Sequence, residues 1–275
     1  MGLSPGFAGH AGLTFAAPAE SLVRSEGATT WIAQDDEAPG PGEASHVHLW
    51  LHAAQSAAHE FHTGRPGSFA VAVARIDRAR ALGIAVSVSS LLTRSNAAVL
   101  GELPAWLHAR GIRAWRIAVP RVSGAVRRVA GPSQVASVGA IDGLLPRLGA
   151  ALPHALQALA RAAVRGLPAG IGGAPHCLLG PFVSVTLPEP PRAYAPVCER
   201  CPARARCPGV DAGYLRRFAG DELSPRGLRV GDAGMTAPDW LFPGTGTLEQ
   251  VATDMSEAPA RQLRLPVLPG GQGGR

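Results

Sequence analysis

Apolar and polar residues alternate between His46 and His52, with Val47, Leu49 and Leu51 set between His46, His48, Trp50 and His52. A period of two predicts a β-strand. The period then lengthens. Over residues 69–82, Val73, Ile76 and Ala79 recur at helical spacing, Ser68 offers an N-cap and Gly83 a stop. Ile84, Val86 and Val88 alternate as the next strand. Asn96 is the predicted cap of a helix reaching Arg110 that carries Leu100, Leu103 and Leu107, with a kink expected at Pro104 and an end at Gly111. Residues 114–119 form a further strand. Residues 122–142 match neither period. A helix over 153–165, with Leu152, Leu156 and Leu159 facing inward, leads to a short strand at 167–171.

Strands alternating with helices of about a dozen residues imply βαβ crossovers and a parallel sheet, so the fold class is α/β. Three units lie between residues 46 and 171. Ahead of them, residues 12–15 and 28–33 are strand candidates, and the acidic, Pro/Gly-rich stretch 35–45 reads as a loop. The expected organisation is an eroded N-terminal part and loop (1–45), a parallel α/β part (46–171), a cysteine segment (172–225) and a Gly/Pro-rich tail (226–275). No solenoid repeat is visible.

All four cysteines fall late: Cys177, then Cys198, Cys201 and Cys207 as Cys-x2-Cys-x5-Cys. Four thiols suffice for a tetrahedral metal or a cubane cluster. The two-residue gap lets one tight turn aim Cys198 and Cys201 at a common centre. Cys177 would close the site from a distance and pin a long loop. Three chemistries compete. An iron–sulfur cluster comes first on ligand count and spacing. Structural zinc comes second, because such sites favour two Cys-x2-Cys knuckles and only one is present. Disulfides or free thiols come last, since the start of the chain has no basic, apolar signal-peptide pattern. A thiolate cluster is net negative, and Arg200, Arg204, Arg206, Arg216 and Arg217 are close enough in sequence to offset it; the alternative is a solvated basic face.

Composition trims the remaining options. The 275 residues are 46% hydrophobic, with 34 Gly and 25 Pro, a net charge of +6 and a pI near 10.0. That length is ample for a core. Every basic residue is Arg. Without lysine there is no Walker lysine, Schiff base or kinase-type lysine. The arginines are scattered and aromatics few, so no nucleic-acid partner is expected. No stretch of about 20 apolar residues predicts a membrane span, and a cytoplasmic location is the default.

Two sets of residues resemble one known family. The first is His59-Glu60-x-His62-Thr-Gly64-Arg-Pro-Gly67-Ser-Phe69, Leu82-Gly-Ile84 and Leu92-Thr-Arg-Ser-Asn96 with Leu100. It is similar to the second half of a radical S-adenosylmethionine (radical SAM) barrel. The second is Pro175-His-Cys177-Leu-Leu-Gly180 and Cys198-x2-Cys201-x5-Cys207-Pro-Gly-Val, continuing to Tyr214, Gly220, Glu222 and Pro225. It resembles the SPASM/twitch-like segment that holds an auxiliary [4Fe-4S] cluster in some members. The resemblance spans roughly residues 46–225.

The resemblance implies an incomplete parallel (β/α) barrel, a [4Fe-4S] cluster on Cys177, Cys198, Cys201 and Cys207, and His59 and His62 in a loop. Zinc is the alternative metal. The family's Cys-x3-Cys-x2-Cys motif is absent, for no cysteine precedes Cys177, and Leu13 to Leu22 replaces its Gly-Gly-Glu-Pro. Reductive cleavage of S-adenosylmethionine by this chain alone is therefore not expected, and no catalytic residue is assigned. The readings that follow are a degenerate or partial radical SAM-like iron–sulfur protein, one subunit of a split enzyme, or a zinc-stabilised scaffold. Missing strands would leave an open edge for a partner protein, a second copy or residues 1–45 to cover.

Other constellations carry less. His46, His48 and His52 share one strand face, which a barrel would turn to its lumen; hydrogen-bonded histidines are expected there ahead of a second metal or a substrate pocket. His176 is a stand-in ligand candidate beside Cys177. Gly170-Ile-Gly-Gly173 and Gly244-Thr-Gly246 read as turns rather than phosphate loops, and Ser89 and Ser90 have no evident base.

Overall fold

The structure is a computed structural model of the whole chain. It describes residues 44–63, 66–122, 144–189 and 191–225, and the backbone of strands at 13–14, 22–25, 28–32 and 247–250. The strands are β1 (Leu13–Thr14), β2 (Leu22–Ser25), β3 (Ala28–Ile32), β4 (His46–Trp50), β5 (Ala85–Leu91), β6 (Ala114–Ala118), β7 (Arg121–Val122), β8 (Ala169–Gly172) and β9 (Thr247–Gln250). The helices are α1 (Ser56–Thr63), α2 (Ser68–Ala81), α3 (Leu103–Ala109), α4 (Leu148–Val164) and α5 (Ala212–Phe218).

The main sheet has six strands in the order β2-β3-β4-β5-β6-β8. β2 and β3 form an antiparallel hairpin, and four successive parallel pairings then run from β3 to β8. Helices or helical turns connect β4 to β5, β5 to β6 and β6 to β8, which is the α/β architecture the alternation predicted. β9 lies in the stretch read as a tail and pairs with β1 and β7 in a small second sheet. The stretch 122–142 falls almost wholly outside the described residues, as do the Gly244 turn and most of the 35–45 loop. Among the described residues, no helix is long and apolar enough to cross a membrane.

Alternation decides which face meets the helices. Val47, Leu49, Val86, Val88, Trp115, Ile117 and Ile171 join one buried cluster with Ile76 of α2, Leu103 and Leu107 of α3 and Leu152 and Leu159 of α4. Burying an aliphatic side chain of this size contributes about 1.5–3 kcal/mol. The opposite face carries His46, His48, Ser87, Ser89 and Arg116, and all five are buried too. The Ser87 hydroxyl bridges His46 Nε2 and His48 Nδ1, at 2.7 Å each.

Four local expectations change. The residue ahead of α2 is Gly67, at φ 82°, and Ser68 opens the helix with no capping bond; its hydroxyl pairs instead with Thr63 Oγ1 at 2.7 Å. Asn96 caps nothing. Its Oδ1 accepts the Thr93 N–H at 2.8 Å, while Nδ2 donates to the carbonyls of His52 (3.0 Å) and Leu91 (2.7 Å). Pro104 causes no kink within a helix: a 3₁₀ segment (Ala97–Glu102) precedes α3, and Pro104 sits in the first turn, where no N–H is needed. His59 and His62 lie on α1 rather than in a loop, since Ala57, Ala58 and their neighbours continue a helix that reaches Thr63.

Candidate metal centre

The cysteine segment folds from short turns. Cys177 lies in a 3₁₀ turn (His176–Leu178) just beyond the carboxyl end of β8. Cys198 lies in a second (Pro196–Arg200), started by a proline whose missing N–H costs nothing there. The Cys201 N–H donates to the Cys198 carbonyl at 3.1 Å, so the two-residue gap is one tight turn. A third turn (Arg204–Arg206) delivers Cys207. An antiparallel bridge between Ala193 and Val210, bonded in both directions at 2.9 Å, closes the loop that contains these three cysteines. The Tyr194 hydroxyl holds the Cys207 carbonyl at 2.8 Å.

Two contacts dock this segment on the α/β body. Tyr214, buried on α5, accepts the Leu148 N–H through its hydroxyl at 3.1 Å. The Glu222 carboxylate accepts the N–H groups of Leu148 (3.0 Å) and Gly149 (2.9 Å) at the start of α4. Arg147 ahead of that helix supplies no cap. A carboxylate there satisfies two orphan donors and meets the positive end of the helix dipole.

The outcome is that all four cysteines, from two stretches of chain, line one cavity together with Pro175, His176 and Tyr194. None is in a disulfide, and each is half-buried. Burial pushes the Cys177 and Cys207 thiols up from the ordinary cysteine range, against backbone N–H donors that pull them down. The other thiolates add to the rise: Cys177 is raised by Cys207, Cys198 and Cys201. A cation among them would offset the rise at Cys177 and Cys207. Two backbone donors already point at Cys207 Sγ, from His176 (3.5 Å) and Gly209 (3.4 Å).

The donor set suits a cubane. A cubane takes four thiolates, one to each iron. Among the described residues, no group of three or more His, Cys, Asp or Glu is placed to hold a metal ion. His176 is buried in the cavity wall and reaches Cys207 through its backbone. Arg200, Arg204, Arg206, Arg216 and Arg217 are all exposed, and Arg204 stacks over the Tyr194 ring at 5.0 Å.

The histidines form a separate buried set. His52 stacks on His59 (5.5 Å between ring centres) and lies 5.7 Å from His62, whose Nε2 meets Thr93 Oγ1 at 2.7 Å. Burial lowers the pKa of His46 and of His59 to about 4. His48 falls to about 3, from burial first and then the charges of His46 and Arg116. These rings are neutral at pH 7 and fill the polar side of the sheet. Sequence reasoning named Glu222 only as part of a resemblance and missed Tyr194 and the acid–base group around Arg116; the one available signal for the latter was an arginine inside the apolar run Trp115-Arg116-Ile117. No family model matches the chain, and no curated protein matches it.

Proposed function

We propose that the chain is a radical SAM-like iron–sulfur protein, an incomplete parallel (β/α) barrel whose Cys177, Cys198, Cys201 and Cys207 hold one auxiliary [4Fe-4S] cluster. The observation that carries this reading is the convergence of four unbridged thiols, 30 residues apart at their extremes, on one cavity at the carboxyl end of β8. The cluster would supply a one-electron carrier or a structural clamp. The chain's own groups do the rest. The N–H donors of His176 and Gly209 stabilise the Cys207 thiolate, and Tyr194 holds that loop in place. Residues 1–275 hold no cysteine ahead of Cys177, so cleavage of S-adenosylmethionine is not assigned to them; in a split enzyme another chain would carry it out.

The test is anaerobic purification followed by iron, acid-labile sulfide and zinc analysis with visible and electron-spin spectra. The expected result is a brown protein with about four irons per chain, and loss of most of that iron in Cys201→Ala. A colourless protein with one zinc would replace this reading with a zinc-stabilised scaffold.

A further inference from the structure

One carboxylate faces three guanidinium groups above the ends of β6 and β8. Arg116 projects from β6 and donates through Nη2 to Glu189 Oε1. Arg192 donates through Nη2 to Glu189 Oε2. Arg121, just past β6, brings its Nη2 to 3.9 Å from the same oxygen. The side chains of Arg116, Glu189 and Arg192 are 4%, 2% and 3% exposed, and that of Arg121 is 28% exposed.

Two glycines make room for the group. A Cβ on Gly172 would overlap the Glu189 carboxylate and stand 2.8 Å from Arg116 Nη2, and one on Gly173 would overlap the Arg192 guanidinium. Gly170 likewise lets Leu187 and the Val185 carbonyl cross β8, both 2.9 Å from where its Cβ would be. The glycine run read as a turn is thus the floor of a charged group.

The donors exceed the acceptors. Arginine stays charged in a protein, and Arg121 and Arg192 keep donors beyond those that Glu189 and the Val119 carbonyl, which accepts from Arg192 Nη1 and Nη2 at 3.3 Å each, take up. The Nε and Nη2 atoms of Arg121 and the Nε of Arg192 are buried and make no hydrogen bond. Nε and Nη2 together form the edge of a guanidinium that grips two oxygens of one oxyanion. The position is the carboxyl end of two adjacent parallel strands, where open α/β sheets take their ligands.

We propose that Arg121, Arg116 and Arg192 form a binding site for an oxyanion, the carboxylate or phosphate group of a small molecule, with Arg121 Nε and Nη2 as the fork that grips it. Arg121 is the most exposed of the three. Glu189 spaces the other two guanidiniums and holds them over the glycines. This site stands apart from the cysteine cavity, to which Ala193 and Tyr194 of the same loop contribute.

The test is calorimetric titration with inorganic phosphate and, separately, with succinate, at constant ionic strength set by sodium chloride. Saturable heat from either anion is expected, and the tighter one tells phosphate from carboxylate. Arg121→Gln, checked for fold by circular dichroism, is expected to weaken binding by ~10-fold or more, the worth of a charge-assisted pair. Arg121→Lys, which keeps the charge and loses the fork, should weaken it as well. Absence of saturable binding for both anions, or equal affinity in the folded variants, would overturn the proposal. Wild type and variants are compared at equal iron content, so a difference between them reports on Arg121 and not on the cysteine site.

Discussion

Mild acid should unfold this protein, and the buried histidines set the scale. His46, His48 and His59 titrate near 4, 3 and 4 in the folded chain, against 6.5 when unfolded. Burial also lowers His52 and His62. A histidine whose folded pKa is depressed binds fewer protons folded than unfolded. Its contribution is therefore intact above pH 6.5 and is lost as the pH falls from there towards the folded pKa. At pH 5 each unfolded ring is nearly all protonated and each folded one is mostly neutral. The loss is about 1.4 kcal/mol per pH unit below 6.5, or ~2 kcal/mol per ring at pH 5. Three rings give ~6 kcal/mol, and His52 and His62 act in the same direction. Small domains have only about 5–15 kcal/mol in total.

The assay is urea unfolding of reduced, anaerobic protein, followed by tryptophan fluorescence at steps from pH 7.5 to 5.0. Carboxylates titrate mainly below that window. The midpoint is expected to fall steeply below pH 6.5 at constant m-value, with a slope near pH 5.5 worth about three protons or more. His48→Asn should lower that slope by about one proton. A midpoint that stays level to pH 5.0, or a slope unchanged in His48→Asn, would refute the reasoning.

Asn96→Ala should destabilise the fold by about 3 kcal/mol or more, because it strands the Thr93 N–H and the His52 and Leu91 carbonyls in a buried site; urea unfolding at pH 7.5 reads it. Glu222→Gln should cost ~1 kcal/mol in the same assay, since the amide keeps one acceptor at the start of α4 but gives up the charge that faces the helix dipole.

The periodic elements were legible because their cause is local. Alternation around Val47 and Leu49, around Val86 and Val88 and over 114–119 marked β4, β5 and β6. Helical spacing marked α2 and most of α4. The spacing of Cys198, Cys201 and Cys207 announced one tight turn and one wider loop, since a 3₁₀ turn needs only the residues it contains. Misreadings came where a side chain preferred a distant partner. Asn96 resembles a helix cap in its own neighbourhood, yet the ends of β4 and β5 offer its amide two buried carbonyls.

What the tertiary structure alone decided is which residues far apart in the chain become neighbours. His48 meets Ser87 across 39 residues, Arg116 meets Glu189 across 73, and Glu222 caps a helix that begins 74 residues before it. No local pattern encodes those meetings. They follow from parallel crossovers, which return the chain to the same end of the sheet after each helix and so stack the ends of successive strands together. The chemistry carried by single residues was written in the sequence, but the sharing of Glu189 by three arginines exists only once β6 and β8 lie side by side.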